Sequence, residues 1–586
     1  MVHVENSPRQ LRSKVSLENM VKNSYPQLYN KIPSIAVKPT ILFLKKLFHE
    51  KEVNNFLNDH SRLIGIDFIE AILEYLNISY TVNHKELENI PALGKVIVVA
   101  NHPLGAADSL TLIKMLSDTR QDGGIKIVAN KMLSFIPQLA PLLIPIDNVH
   151  GKLSRNSLKA IDEALENEEL VVFFPAGEVS RASLKGIKDS YWKSGFVKIA
   201  QRTATPVLPV HISARNSSLF YALSLIYKPL SAFLLGNELM RSRSNKPLEF
   251  KIGEIIPPSS FNSKLLKPKQ YARLFRKHLY KVAKNKKGLL ATEQSICHPV
   301  QRSSLRTELK ESELLGCTTD GKEIYLVDPE ESPTILKEIG RLREYTFRKV
   351  GEGTGTRRDL DKYDEYYSHL VLWDDEALEI AGAYRIGECS WIMAFLGKEG
   401  LYMNELCQID EALDAKLENA IELGRSFVQP KYWGSRALDY LWQGIGAYLA
   451  HNPHIKYMYG PVSISNSYPK VAKDILVYFY TNYFKPDNKF FTANRPYVLS
   501  RNTKAEFNRI FEGQEYLEAF RTLKSYLKGL EVSVPTLYKQ YGDICEEGGV
   551  QFSDFGVDPE FNNAIDGYLL VELDKLKDEK RKRYIK

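Results

Sequence analysis

Short apolar runs separated by helix-like stretches mark the chain between residues 95 and 212. The runs are those of residues 96–100, 125–129, 170–174 and 206–212. Such runs are typical of buried strands, and buried strands separated by helices build an α/β sheet. The pattern therefore predicts an α/β domain in the first half of the chain.

A second set of apolar runs begins after a stretch of different composition. Residues 257–312 are rich in Lys, Ser and Pro, and the later part of this segment is typical of a linker. Beyond it, strands are predicted at 323–327, 369–373 and 380–385, and an amphipathic helix at 435–450. The fold class expected is α/β, with two mixed α/β domains.

Apolar residues at helical spacing occur in two further regions, for which two interpretations stay open. The runs lie at residues 41–44, 68–75, 218–226 and 230–235. They are helices that flank the first sheet at a membrane interface, or an ordinary pair of core helices. None reaches the ~18 residues of a spanning helix, so the chain is not expected to cross a membrane.

The length of the chain predicts several domains. Its 586 residues exceed the ~250–300 at which a single hydrophobic core stops growing. With 44% hydrophobic and 26% charged residues, most of the chain is expected to fold. The predicted divisions are an N-terminal helical, membrane-associating region at 1–80, a first α/β domain at 81–275, a linker at 276–322, a second domain at 323–500 and a helical extension with a basic tail at 501–586.

The charge of the chain is mildly positive, with 79 Lys and Arg against 71 Asp and Glu. This balance alone does not distinguish nucleic acid from anionic lipid as a partner. The basic cluster at 575–584 fits an anionic membrane surface, at roughly 1 kcal/mol per cation, or a solvated helix end. The beginning of the chain lacks the apolar core of a signal peptide, and the 5 cysteines lack metal-ligand spacing. We therefore expect reduced thiols and no metal.

The first candidate site lies where a predicted strand ends. The strand leads into Asn101 and His102, a turn with Pro103 and Gly105 follows, and Asp108 opens the next helix. Catalytic groups concentrate where strands end, and a histidine oriented by a carboxylate can take the proton of an alcohol. The alternative is an incidental histidine beside a helix-capping aspartate.

Three further blocks follow in order. They are Ala129-Asn-Lys131, Phe173-Phe-Pro-Ala-Gly-Glu-Val-Ser-Arg181 and Pro206-Val-Leu-Pro-Val-His211. With the block of His102, they resemble the lysophospholipid (glycerolipid) acyltransferase family, in its branch of hemolysin-like proteins, over about residues 70–260. The resemblance implies that the first domain esterifies a hydroxyl with a fatty acyl group from a thioester.

The same resemblance implies the roles of individual residues. His102 would be the base that activates the hydroxyl, and Asp108 would hold its imidazole in the useful tautomer. Substrate contacts would fall on Asn101, Lys131, Gly177, Glu178 and Arg181.

Two departures from the family pattern bear on the acceptor. Five residues separate His102 from Asp108 where the family has four, and the Phe-Pro-Glu-Gly-Thr block is replaced by Phe174-Pro-Ala-Gly-Glu178. Ala176 thus stands where the family has the glutamate associated with a phosphorylated glycerol. An unusual hydroxyl acceptor is therefore expected.

The second candidate site consists of charged residues at the ends of apolar strands. They are Arg343, Asp361, Asp364, Arg385, Glu422 and Arg425. Buried charges are costly unless paired, so this set is either a structural ion-pair lattice or a site for an anion and an amine. Gly434 and Ser435 lie where a helix N-terminus would offer backbone N–H groups to a phosphate.

The order of these pieces resembles the acyl-carrier-dependent N-acyltransferases of GNAT type, over about residues 335–490. That group includes ornithine-lipid synthases and, more distantly, acyl-homoserine lactone synthases. The resemblance implies that the six charged residues carry the family's pattern and that Gln429, Gly434 and Ser435 face the donor's phosphopantetheine. The sequence lacks the usual acetyltransferase loop, so acetyl-coenzyme A is not favoured.

Together, the two resemblances predict a bifunctional aminolipid acyltransferase. The second domain would acylate an amino acid with a 3-hydroxyacyl group, and the first would esterify the hydroxyl of that product. The expected donor is acyl-acyl carrier protein or acyl-coenzyme A, without a tightly bound cofactor. The other expected partners are an amino acid, a lysolipid and an anionic membrane surface on the cytoplasmic face of the inner membrane, but no nucleic acid.

Two alternatives stay open. The first is a 1-acyl-glycerol-3-phosphate-type lysophospholipid acyltransferase with an auxiliary GNAT-like domain. The second is a hemolysin-like, non-catalytic membrane-binding protein.

Overall fold

The chain folds as two compact units, Met1–Cys297 and His298–Lys586, in a computed structural model. Each unit has its own β-sheet with helices packed against it, so the expectation of two mixed α/β domains is confirmed. The structure describes residues 34–47, 49–120, 124–146, 154–182, 186–226, 238–239, 247–263 and 265–585, together with 16, 18 and 22.

The sheet of the first unit has seven strands in the order β1-β7-β6-β2-β5-β3-β4. They are β1 (Tyr80–Val82), β2 (Val96–Ala100), β3 (Ile125–Asn130), β4 (Leu143–Ile146), β5 (Leu170–Phe173), β6 (Val207–Ser213) and β7 (Leu248–Ile252). All paired neighbours are parallel except β6 and β7. Strand β2 therefore lies in the middle, between two parallel neighbours.

Burial on both faces explains the continuous apolar run of β2. Val96, Val98 and Ala100 pack into one core cluster, whereas Ile97 and Val99 pack into another. A strand covered on both faces needs apolar side chains at every position. All four strands predicted from such runs in this half are present.

Nine helices are described in the first unit. They are Ser34–Leu47, Glu50–Asp59, Gly65–Tyr75, His84–Leu87, Ala106–Thr119, Arg155–Glu166, Gly195–Arg202, Ser218–Ile226 and Pro268–Val282. The predicted apolar run at 230–235 lies outside the described residues, as does most of the predicted region 1–80 before residue 34. In the described part of the chain, we find no helix with the length and apolar character needed to span a membrane.

The sheet of the second unit has eight strands in the order β16-β17-β14-β13-β11-β10-β9-β8. They are β8 (Glu313–Cys317), β9 (Glu323–Val327), β10 (Ser368–Asp374), β11 (Glu379–Glu388), β13 (Ala420–Val428), β14 (Tyr457–Ile464), β16 (Val550–Asp558) and β17 (Ala564–Glu572). Only β13 and β14 are parallel neighbours. A separate two-stranded sheet pairs β12 (Cys407–Ile409) with β15 (Phe491–Ala493).

The helices described in the second unit surround this sheet. They are Arg302–Glu311, Pro333–Val350, Cys389–Leu396, Met403–Leu406, Asp414–Leu417, Ala437–His451, Lys470–Tyr483, Arg501–Phe511, Tyr516–Gly529, Thr536–Tyr541 and Asp578–Tyr584. The three strands and the amphipathic helix predicted in this half are among the observed elements.

Two predicted segments are wrong. The linker expected at 276–322 contains the end of one helix, the whole of Arg302–Glu311 and strand β8, because its Lys and Ser residues lie on the solvent side of helices with a buried apolar face. The helical extension expected at 501–586 contains β16 and β17, and β17 pairs with β14 from Ile565 to Glu572. The second domain therefore extends well beyond residue 500.

The basic cluster near the C-terminus is paired within its own unit. Arg583 Nη2 lies 2.7 Å from Asp439 Oδ1, and the ammonium groups of Lys577 and Lys580 lie 3.0 and 2.8 Å from the carboxylate of Asp543. These cations hold the terminal helix against the domain.

Candidate active sites

His102 and Asp108 flank the turn at the carboxyl end of β2. Gly105 in this turn has a φ of 100°, a conformation that favours glycine. The helix Ala106–Thr119 begins directly afterwards and carries Asp108 in its first turn. The five-residue spacing between the two side chains is accommodated by this turn.

The two side chains face each other. His102 Nδ1 lies 3.3 Å from Asp108 Oδ2, and Asp108 is fully buried. The ring is not aligned for a hydrogen bond, and catalytic hydrogen bonds are often loose before substrate binds. Asp108 is fixed by the backbone N–H groups of Leu104 and Ser109, which each donate to one of its oxygens at 2.8 Å.

A second buried carboxylate, Asp189, holds the backbone around His102. Asp189 Oδ1 accepts from the His102 N–H at 3.1 Å and from the Ser180 hydroxyl at 2.5 Å, while Oδ2 accepts from Trp192 Nε1 at 2.9 Å. The Ser180 N–H donates to the His102 carbonyl at 2.7 Å. The imidazole also packs against the Phe174 ring, with ring centroids 4.2 Å apart and an angle of 33° between the ring planes. These contacts fix the imidazole at the sheet edge.

The charges around the imidazole raise the pKa of His102. Burial by itself would lower this pKa, but the carboxylates of Asp108 and Asp189 more than offset that effect. A histidine with a raised pKa is a stronger base once it is neutral. The pair can therefore take a proton from a hydroxyl placed against the exposed part of the ring.

The side chain of Asn101, which is predicted to contact the substrate, links two strands of the sheet. Its side-chain amide donates to the Ile212 carbonyl at 2.9 Å and accepts from the Ile212 N–H at 2.8 Å. The residue is only 4% exposed. Both ends of the amide join β2 to β6, and a substrate contact by Asn101 stays a prediction.

The other predicted contacts lie in loops at the sheet edge that carries His102. Lys131 follows β3 and is exposed, and Gly177 and Glu178 follow β5. The guanidinium of Arg181 lies 5.4 Å from the ring centroid of Phe220. Because the carboxyl ends of parallel strands meet at one edge, these loops surround the same opening.

In the second unit, strands β13 and β14 pair only near their beginnings. Residues 420–422 lie opposite 457–459, but β13 continues to Val428 and β14 to Ile464. We call the opening between 423–428 and 460–464 the wedge. Its walls present strand-edge groups that an extended ligand can use.

Five of the six predicted charged residues converge beside the wedge. Arg343 Nη1 lies 2.7 Å from Asp364 Oδ1, and Arg385 Nη1 lies 2.6 Å from Asp361 Oδ1 and 3.2 Å from Asp364 Oδ1. Arg425 Nη2 lies 3.3 Å from Asp361 Oδ2. The lattice is ion-paired, and its member Arg425 lies on β13, one wall of the wedge. The alternative of a site for an anion and an amine stays a prediction.

Burial and ion pairing act in opposite directions on the acids of this lattice. Burial would raise the pKa of Asp364, but Arg343 and Arg385 hold it well below its ordinary range. His369 Nε2 lies 3.7 Å from Asp364 Oδ1, and burial lowers the pKa of His369 to about 4. At neutral pH the acid is charged and the histidine is neutral.

Glu422 stands apart from the ion pairs, at the closed end of the wedge. It accepts from the hydroxyls of Tyr367 at 2.7 Å and Tyr459 at 3.3 Å, and from the backbone N–H groups of Tyr402 at 3.1 Å and Met403 at 2.7 Å. Burial raises the pKa of Glu422, although these donors oppose the shift. A carboxylate with four donors anchors the backbone that enters the site.

The loop 429–435 leads from β13 to the helix Ala437–His451. Gln429 Nε2 donates to the Ile380 carbonyl at 3.0 Å, so its side chain is tied to β11. Gly434 and Ser435 are exposed, and the Ser435 hydroxyl accepts from the Ala437 N–H at 3.2 Å. The loop thus presents Gly434 and Ser435, rather than Gln429, at the helix N-terminus.

Comparisons with known proteins identify the family. Residues 20–257 match the family described as "Acyltransferase", and residues 342–443 match the "Acetyltransferase (GNAT) domain". The lyso-glycine lipid O-acyltransferase of Phocaeicola vulgatus is 34% identical over 274 residues, which cover 46% of this chain and 95% of that protein. The chain belongs to the acyltransferases.

Two further relatives of this acyltransferase have different substrates in their names. The glycine N(alpha)-acyltransferase of Bacteroides thetaiotaomicron is 30% identical over 305 residues, covering 50% of this chain and 90% of that protein. The L-ornithine N(alpha)-acyltransferase of Brucella abortus is 30% identical over 146 residues, covering 22% of this chain and 50% of that protein.

Sequence reasoning missed several residues of the acyltransferase's two candidate sites. Asp189 is 87 residues from His102, and Asp359, whose Oδ2 lies 3.1 Å from Arg343 Nε, has no motif of its own. Tyr402 also has no motif of its own, although the guanidinium groups of Arg385 and Arg425 both lie over its ring. In the described part of the chain, no group of His, Cys, Asp and Glu could hold a metal ion.

Proposed function

We propose that the chain makes a diacylated amino-acid lipid, with the second unit forming the amide and the first unit forming the ester. One observation carries the proposal: a His/Asp pair and a GNAT-type wedge occur in one chain whose relatives are named lyso-glycine lipid O-acyltransferase and glycine N(alpha)-acyltransferase. We assign O-acylation to the unit that matches the acyltransferase family and N-acylation to the unit with the GNAT domain.

In the proposed ester-forming step, His102 takes the proton of the acceptor hydroxyl. The oxygen attacks the carbonyl carbon of the acyl thioester, the C–O bond forms and the C–S bond breaks. The imidazolium returns its proton to the departing sulfur, so that a thiol leaves. Asp108 holds Nδ1, which leaves Nε2 for the hydroxyl. Glu178 and Arg181 are proposed to contact the acceptor.

In the proposed amide-forming step, the amino group of an amino acid attacks the carbonyl of a 3-hydroxyacyl thioester in the wedge. The C–N bond forms, the C–S bond breaks and a thiol leaves. The lattice of Arg343, Asp361, Asp364, Arg385 and Arg425 lies beside this opening and supplies fixed charges where the reacting groups meet.

The donor's phosphopantetheine is proposed to lie in the wedge, with acyl carrier protein or coenzyme A beyond it. The unpaired strand edges suit its amide groups, and Gly434 and Ser435 precede the N-terminus of Ala437–His451, where backbone N–H groups favour a phosphate. Acyl-carrier-protein-dependent turnover that is unchanged by Ser435→Asp would count against this placement.

Lipid analysis tests the division of labour. The chain is expressed in a host without aminolipids, and the lipids are measured by mass spectrometry. The wild type is expected to yield the doubly acylated amino-acid lipid, His102→Ala only the mono-acylated amide, and Glu422→Gln or Arg425→Gln neither product. Asp574→Asn changes an exposed carboxylate of the second unit and is the matched control.

Two outcomes would refute the proposal. One is a doubly acylated product from His102→Ala. The other is phosphatidate formed from lysophosphatidate by the wild type, without any amide. The second outcome would favour a plain lysophospholipid acyltransferase.

A membrane-facing sheet edge is proposed for the first unit, on the cytoplasmic face of the inner membrane. The turn of helix Lys131–Phe135 follows β3 at the edge that carries His102, and it exposes Leu133 at 37% and Phe135 at 46%. Co-sedimentation with anionic vesicles is expected to fall for Leu133→Ser/Phe135→Ser but not for Leu289→Ser, which is 44% exposed elsewhere. Equal loss in both variants would refute this orientation.

A further inference from the structure

A group of buried acids lies on the far side of the wedge, outside the ion-paired lattice. Asp566 on β17 is opposite Ser463 on β14, which is one wall of the wedge, and its other neighbour on β16 is Gly556. The other acids of this group, Glu352 and Asp558, are buried as well. Asp566 therefore lies one strand beyond the wall 460–464, which itself contains no acidic residue.

Most of these acids have partners, but Asp566 does not. Asp558 Oδ1 accepts from the Glu560 N–H at 2.9 Å and the Phe561 N–H at 3.2 Å, so it supports the turn between β16 and β17. Asp566 is 4% exposed and forms no hydrogen bond to the described part of the chain. Burial, with Asp558 and Glu352 nearby, raises the pKa of Asp566.

The hydroxyl of Tyr402 is a second polar group without a partner. Tyr402 is 7% exposed, and in the described residues its hydroxyl has no hydrogen-bond partner. Burial raises the pKa of Tyr402; Asp558 and Asp566 add to this shift, whereas Arg385 and Arg425 oppose it. The Tyr402 side chain packs in one core cluster with Tyr568 and Leu570 of β17, and the guanidinium groups of Arg385 and Arg425 lie over its ring.

Arg425 contacts the ring of Tyr402 and has a guanidinium N–H group without a hydrogen-bond partner. Its guanidinium carbon lies 5.1 Å from the Tyr402 ring centroid and 5.2 Å from that of Phe561. Its ion pairs are the longest of the three arginines in the lattice, at 3.3 Å to Asp361 and 3.6 Å to Asp359, and its Nε has no hydrogen-bond partner.

Arg425 is aimed by an irregular backbone. Its φ is 48°, at the point where the register between β11 and β13 shifts. Non-glycine residues in this conformation cost energy and occur at turns, bulges and functional sites. At this bulge the guanidinium lies against the carboxylates of Asp359 and Asp361 and over the rings of Tyr402 and Phe561.

We propose that these groups form the amino-acid site, in which Arg425 binds the carboxylate of the acceptor and Asp566 accepts a proton from its ammonium group, with the Tyr402 hydroxyl between them. This inference rests on the amide-forming function proposed above. The ligand is a zwitterion, and the site offers one unsatisfied donor and one unsatisfied acceptor of matching charge.

The proton balance gives Asp566 a defined task. An ammonium group cannot attack a thioester, so one proton must leave before the C–N bond forms. Asp566 takes that proton, the neutral amine attacks, and the second N–H proton leaves with the thiol. Asp566 is therefore a catalytic residue, whereas Asp558 and Glu352 are positioning residues that keep its proton affinity high.

Two measurements on the full chain test the site, with a 3-hydroxyacyl thioester of acyl carrier protein as donor. The first compares glycine with glycinamide, which has the amine but no carboxylate. Loss of a charge-assisted contact is expected to lower kcat/KM by roughly 10- to 100-fold. The second compares wild type with Asp566→Asn, in which amide formation from glycine is expected to fall about 100-fold or more.

Ester formation by the first unit provides the folding control. Asp566→Asn and the exposed-site control Asp574→Asn are both expected to esterify a supplied mono-acylated amide at the wild-type rate. Amide formation by Asp566→Asn within threefold of wild type, or equal use of glycinamide and glycine, would overturn the inference. If Asp566→Asn also loses ester formation, the comparison of glycine with glycinamide on the wild type decides whether the inferred amino-acid site is correct. A wild type that acylates no amino acid would instead refute the proposed function.

Discussion

Replacement of Asp108 by Asn tests the catalytic pair most directly. The two side chains have the same shape, but an amide presents only one acceptor oxygen. Asp108 now accepts from the N–H groups of Leu104 and Ser109 with separate oxygens. In the variant one of these donors faces an NH2 group, which is expected to cost roughly 1–3 kcal/mol of folding free energy.

The effect on ester formation is expected to be larger than the effect on stability. Without the carboxylate at 3.3 Å, His102 loses the group that holds Nδ1 protonated. General-base catalysis contributes about 10²–10⁴-fold, so a loss of that size, roughly 3–5.5 kcal/mol in the barrier, is expected. Asp118→Asn, on the same helix but exposed and paired with Lys114, is expected to keep full activity.

The pH dependence supplies a separate readout. His102 is a base only when neutral, and its pKa is raised above 6.5, so wild-type kcat/KM for ester formation is expected to rise with pH through a midpoint above 6.5. In Asp108→Asn, less negative charge opposes the effect of burial, so the pKa of His102 is lower than in the wild type. The residual activity should therefore rise with pH at lower pH values. The assay is thiol release from the donor with a synthetic mono-acylated amide. Activity above one third of wild type, or an unchanged midpoint, would refute the reasoning.

Three further predictions concern the supporting residues. Asp364→Asn leaves Arg343 and Arg385 without their shared partner and is expected to cost about 3–5 kcal/mol in chemical denaturation. Because the pKa of Asp364 is depressed, the wild type should lose this contribution as pH falls below the unfolded value of about 3.9, whereas the variant should not. Asp189→Asn removes a negative charge beside His102 and should shift the pH profile of ester formation to lower pH, with amide formation unchanged as the control. Gly446→Ala places a methyl group against the backbone of Tyr584 and should lower stability by about 1–3 kcal/mol, whereas exposed Gly529→Ala should not.

Local patterns were sufficient to predict the sheets but not the ends of the domains. Strands such as β2 are buried on both faces and need apolar side chains at every position. The sequence therefore shows each of them as a continuous apolar run. Strands β16 and β17 follow three helices and lie within 501–586, where the sequence predicts a helical extension. A signal was present, since Asn562 and Asn563 form the turn between the strands with φ of 53° and 57°, a conformation that asparagine tolerates.

Site residues near one another in sequence were predictable, and those brought together by the fold were not. His102 and Asp108 share one turn, so spacing alone places them together. Asp189 contacts the backbone of His102 from a loop 87 residues away, and Asp566 lies opposite Ser463 on a strand that the sequence pattern does not predict. Pairings of this kind depend on strand order, which residue spacing does not contain.

The chemistry of the two proposed steps determines their order, and this order can be tested without a variant. The amide-forming step supplies the only new hydroxyl if its donor is a 3-hydroxyacyl thioester, so the ester must form second. Given amino acid and a straight-chain acyl thioester without the hydroxyl, the full chain is expected to stop at the N-acyl amino acid. Adding a 3-hydroxyacyl thioester should then yield the doubly acylated lipid in the same mass-spectrometric assay. A doubly acylated product from the straight-chain donor alone would show that the His102 site uses another acceptor, and the coupling of the two units through that hydroxyl would be wrong.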